Sequence, residues 1–178
     1  MDNFKRNVAL LSKELVKLER YEFFGNKDRE DWLPLFQSDD ASVMCPPYVG
    51  KNYKQGGLII MPINPGGGNE TSEIRDIGDN IIFPILHEYK KINKNVEEYY
   101  WNVFVPTFRK AKPTWKIYKD MLPVLTASNC SLDNISYFNF VPYRGRNNRY
   151  PNRVFEMNEI IPKTIDKFVK PILNLLQP

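Results

Sequence analysis

Two asparagines set in apolar or glycine-rich surroundings are the side chains of this sequence best placed to do chemistry. Asn64 follows the apolar run Leu58 to Met61 and Pro62, and is itself followed by Pro65 and by Gly66, Gly67 and Gly68. An asparagine beside glycine amides can position a water, bind an anion or meet the polar edge of a base. The glycines also let a ligand approach the backbone closely. Asn139 lies in ISYFNFVPY, Ile135 to Tyr143. An amide in such a run must find partners: a structural hydrogen bond, or a base edge read by both ends of the amide. Arg144, Arg146 and Arg149 follow within the same stretch and either contact phosphates or form a solvated basic loop.

Other chemistries find less support. The glycines are not followed by the Lys and Ser or Thr of a phosphate-binding Walker loop, and they lack the spacing of a dinucleotide fingerprint. His87 is the only histidine, open to a general-base role or to plain packing. Asp39 and Asp40 read as a turn or helix cap rather than a metal site. Cys45 and Cys130 match no zinc spacing and read as reduced thiols of a cytoplasmic protein. No metal is expected.

The elements that must hold these residues can be read from periodicity. Leu58 to Met61 has the character of a buried strand ended by Pro62, and Ile135 to Tyr143 that of a second strand. A loop at the carboxyl end of a strand is where open α/β sheets bind ligands. The two strands are therefore expected to be parallel neighbours, with both candidate loops at one end of the sheet. Phe4, Val8, Leu11, Leu15 and Leu18 predict an N-terminal helix over residues 3–24, closed by Gly25 and Asn26, with Lys5, Lys13, Lys17 and Arg20 on solvated faces. A helix is expected over Ile81 to Lys90, with Pro84 in its first turn. Another spans Asn95 to Ala111 and is broken or ended by Pro106. A third opens at Pro113 and is kinked by Pro123, and a helical pattern resumes from Val154, interrupted by Pro162.

The 178 residues suit one domain, 1–178, large enough to bury roughly 70% of the unfolded surface. Strands separated by helices imply a three-layer α/β/α arrangement on a central, mostly parallel sheet. Two strong strands are few for such a sheet, so either weaker ones lie at 43–49 and elsewhere or the domain is truncated. A formal charge of +4 permits a nucleic-acid partner without demanding one. No apolar run approaches the ~20 residues of a membrane span, and no signal-peptide segment opens the chain.

Taken together, the two asparagine stretches resemble the uracil-DNA glycosylase superfamily. INPG, Ile63 to Gly66, resembles the first motif of its mismatch-specific branch, although Pro62 stands where a glycine is usual there. Asn139, Arg144, Asn148, Arg149 and Pro151 resemble the second stretch of the branch that carries an iron–sulfur cluster. The amphipathic segment ending LLQP resembles the helix before the family's third core strand. The likeness spans roughly residues 55–178. It departs in two respects. Two cysteines replace the four a cluster needs, so no cofactor is expected, and the final His-containing loop has no counterpart.

What the resemblance implies is hydrolysis of the N-glycosidic bond of uracil or a mismatched base flipped out of DNA, single-stranded or mismatched. Asn64 would orient the water, Asn139 would bind the base edge, and Phe83 would stack on the base unless it is plain core. Gly66, Gly67, Gly68, Arg144, Arg146, Asn148 and Arg149 would line the loop and phosphate contacts. Two alternatives stand beside this reading. One is an inactive relative that binds nucleic acid or a nucleotide. The other is an interaction protein that keeps only the fold and recruits a protein partner at an exposed sheet edge.

Overall fold

The computed structural model describes residues 2–19, 43–62, 77–140, 142 and 161–177. Within them a mostly helical α/β arrangement surrounds a three-stranded mixed sheet that does not close into a barrel. Its strands are β1 (Tyr48–Val49), β2 (Ile59–Ile60) and β3 (Ser136–Tyr137), in the order β1-β3-β2.

The two apolar runs do pair side by side and parallel, with Ile59 opposite Ser136 and Ile60 opposite Tyr137. The pairing outlasts the regular strands. The amides of Ser136, Phe138 and Phe140 donate in turn to the carbonyls of Leu58, Ile60 and Pro62, at 3.0, 3.2 and 2.7 Å. Pro62 ends the run as a donor yet still accepts, which is what a proline can do in a ladder.

The third strand lies within the weak 43–49 stretch, and it corrects the expectation of a mostly parallel sheet. β1 runs antiparallel to β3, Tyr48 opposite Tyr137 and Val49 opposite Ser136. Backbone bonds from Cys45 to Pro142 and from Gly50 to Ile135 flank this pairing. Side chains fix it: Ser136 Oγ donates to Tyr48 O, and the Tyr48 hydroxyl donates to Leu132 O. Gly50 passes so close to the 132–133 turn that a Cβ would sit 2.4 Å from the carbonyl oxygens of Leu132 and Asp133. The Tyr100 hydroxyl donates to Pro47 O and accepts from Val49 N, so a side chain occupies backbone groups on the β1 strand that would otherwise need a partner.

Helix α1 (Asn3–Lys17) is capped by Asp2, whose carboxylate accepts from Phe4 N. It is shorter than the predicted 3–24. Leu18 turns extended, with ψ 137°, and the proposed stop at Gly25 and Asn26 lies outside the described residues. Its buried face carries Val8, Ala9, Ser12, Lys13, Leu15 and Val16, which takes Lys13 out of solvent.

Helix α2 (Ile77–Lys91) starts upstream of the expected Ile81, which leaves Pro84 in its interior. The next helical run does not end at Pro106. α3 (Val96–Tyr99) continues into a π segment, Tyr100–Phe104, and then α4 (Val105–Ala111), with Pro106 in the first turn of α4. A π segment widens the turn just ahead of the proline, where a regular helix would press its ring against a carbonyl. The same device recurs at Ile165–Val169, ahead of Pro171 in α6 (Lys170–Leu176), which follows α5 below in chain order. Between them, a 3₁₀ turn at Lys112–Thr114 and an extended Trp115 precede α5 (Lys116–Ala127), which contains Pro123.

The core is rich in stacked rings. Phe108 packs on Tyr48 and Tyr137, at 4.6 and 5.8 Å between centroids, and Phe168 packs on Phe138 at 6.0 Å. Successive strand residues face opposite ways, so helical side chains meet both faces of β3. Among the described residues no helix is long and apolar enough to cross a membrane.

Candidate functional site

Three backbone segments meet at one end of the sheet. β2 and β3 are parallel, so their carboxyl ends, at Pro62 and Phe140, lie together. β1 is antiparallel to β3, so the segment leading into it, with Cys45, reaches the same end, where Cys45 N donates to Pro142 O. This is the end at which ligands bind in open α/β sheets.

Asn139 sits here, 6% exposed. The Tyr137 hydroxyl donates to its Oδ1 at 3.3 Å, a contact between residues two apart that share a face of the strand. One lone pair of Oδ1 is thus engaged, and the Nδ2 hydrogens can meet a further acceptor. Burial pushes the Tyr137 phenol up from its ordinary value, with Cys45 adding to the shift, so the hydroxyl keeps its proton and acts as a donor.

Behind Tyr137 lies a residue that the sequence reading passed over. Lys112 is 0% exposed, and its Nζ stands 3.3 Å from the centre of the Tyr137 ring and 5.0 Å from that of Trp115. Among the described residues its ammonium finds no hydrogen-bond acceptor, and neither does the buried indole N–H of Trp115. Burial draws the Lys112 ammonium down to about 7, with the Cys45 thiol opposing. The signal for this position was periodicity. Phe104, Phe108 and Lys112 fall at helical spacing, so the lysine occupies a place on an apolar stripe.

The other proposed residues divide as follows. Phe83 is half-buried on α2 and packs against the hydrophobic core, as its plain core role requires. His87 is half-buried on the same helix and engaged in contacts there. Neither Cys45 nor Cys130 is part of a disulfide. Asn64, Gly66, Gly67, Gly68, Arg144, Arg146, Asn148 and Arg149 lie outside the described residues. Among the described residues no group of three His, Cys, Asp or Glu side chains converges as metal ligands would.

The arrangement can therefore do two things chemically. Asn139 can offer amide hydrogens to a polar edge, and Lys112 with Trp115 can offer N–H donors to an acceptor. No family model matches the chain, and no curated protein or solved structure gives a significant match to it.

Proposed function

We propose that the shared carboxyl end of β2 and β3 is a nucleobase site of the uracil-DNA glycosylase kind. In this reading Asn139 holds the polar edge of a flipped base and Asn64 directs a water to the sugar carbon. The observation that carries it is the parallel run of hydrogen bonds from Ser136, Phe138 and Phe140 to Leu58, Ile60 and Pro62. That run brings the segment leading to Asn64 and the segment bearing Asn139 off the sheet at the same end. Helical side chains on both faces of β3 are also what a layered α/β/α fold requires. Asparagine is no effective base, so the reaction would rest on placing the water and on stabilising charge as the bond breaks.

A second reading, a base-binding protein without hydrolysis, draws on the internal bond between Tyr137 and Asn139, which already gives the amide a partner in the fold. Uracil release from single-stranded DNA separates the two, since flipping costs least there. The glycosylase reading expects release by the parent chain, and a loss on the order of 10²-fold in Asn64→Ala with binding largely kept. Asn139→Ala should blur discrimination among bases by about 1–3 kcal/mol. Release unchanged in Asn64→Ala would defeat the mechanism. Base-selective binding without release would favour the second reading.

A further inference from the structure

We propose that Lys112 and Trp115 form a niche for a ligand oxyanion, a carboxylate or phosphate oxygen held jointly by the amine and the indole N–H. The proposal does not depend on the glycosylase reading. Both groups are donors only, both donor nitrogens are buried, and neither has an acceptor among the described residues. Buried donors are nearly always satisfied, so two left open side by side call for an explanation, and a shared acceptor from outside the chain supplies one. Both donors come from one turn, where Trp115 N donates to Lys112 O, and Lys112 Nζ stands 5.0 Å from the centre of the Trp115 ring, within reach of a single guest.

Charge narrows the guest further. The face of the Tyr137 ring takes the ammonium from one side, which leaves its remaining hydrogens directed elsewhere. Of the groups packed around Lys112, the Cys45 thiol before β1 is the one whose charge is coupled to it, and β3 contributes only the Tyr137 phenol. No carboxylate among the described residues is coupled to it, on α2 or elsewhere. A guest that accepts hydrogen bonds and brings a negative charge satisfies both the donors and the cation. Trp115 and Cys45 are each half-buried.

The test is calorimetric titration of the full chain at constant ionic strength with inorganic phosphate and, separately, acetate. It is run at about pH 6 and about pH 8.5, on either side of the depressed lysine value. The wild type should bind at the lower pH and more weakly at the higher. Acetate serves as the arm in which the ligand's own charge stays constant. Lys112→Met should lose binding by about tenfold or more, and Trp115→Phe, which keeps the ring and drops the N–H, by a smaller factor. A near-isosteric apolar residue suits the buried position, so Lys112→Met should fold, and Lys112→Gln provides a second variant. Binding of phosphate alone identifies a phosphate ester as the ligand class, and binding of acetate identifies a carboxylate. No binding of either anion by the wild type, or equal affinity in Lys112→Met, overturns the niche.

Discussion

Lys13 and Lys112 occupy matching situations in the fold. Each lies on the buried stripe of a helical segment, and each carries its amine over a tyrosine ring, Tyr89 for Lys13 and Tyr137 for Lys112. The surroundings then diverge. Lys13 Nζ donates to the carbonyls of Tyr89 and Lys90, at 2.6 and 2.9 Å, in the last turn of α2. A helix leaves its final carbonyls without partners and concentrates partial negative charge there, so a buried ammonium is welcome. Tyr89 returns a bond to α1 by donating to Ala9 O. Lys112 has aromatic faces and, among the described residues, no acceptor. The difference teaches that burial of a lysine says little about its role. What it is bonded to decides whether the amine is a structural cap or a group held ready for a guest.

The largest effect should come from removing the amine that lacks an acceptor. Lys112→Met is expected to raise stability by about 3 kcal/mol near pH 6, because an uncompensated buried charge costs several kcal/mol. Denaturant unfolding checks it, and a loss of stability would mean that Lys112 has a partner like that of Lys13. The mirror substitution should go the other way. Lys13→Met should lower stability by about 2 kcal/mol, since two carbonyls at the end of α2, one buried and one part-buried, lose their donor. A neutral result there would erase the contrast between the two sites.

The smallest effect sharpens the comparison through pH. The folded-state value of Lys112 is drawn down to about 7 from 10.5. Between those values the unfolded chain holds the proton and the folded chain has released it, so wild-type stability should rise with pH by about 1.4 kcal/mol per unit. Below about pH 7 both states are protonated and this contribution is flat. Lys112→Met should lack the slope, and the stability gap between variant and wild type should narrow as pH rises. Parallel slopes in the two proteins would remove Lys112 as the titrating group.

The sheet was readable because its signals are local. Leu58 to Met61 and Ile135 to Phe140 are apolar and β-branched or aromatic, and Pro62 marks the end of one of them. β1 was harder, because Tyr48 and Val49 follow two prolines and are held by Ser136, Tyr100 and Leu132, residues far along the chain. The prolines misled for a related reason. A rule based on a regular helix ends the run at Pro106, whereas the π segment at Tyr100–Phe104 lets it continue. Within the candidate site, Asn139 stood out as an amide in an apolar run. Lys112 did not, because a lysine is ordinarily a surface residue and its apolar spacing was the only mark against that reading.

The wiring of the sheet has a kinetic consequence. Ser136 holds Tyr48 from 88 residues away, and Gln55, just ahead of β2, bonds Leu175 across 120. Neither strand pair in this sheet is a hairpin, so no short loop closure can nucleate it. Helices α1 and α2 can form early from neighbouring residues, while the sheet must wait for distant segments to meet. Refolding should thus show helical signal arriving before the ordering of Tyr137 and its neighbours, and the region around Asn139 and Lys112 should be among the last to acquire its native surroundings.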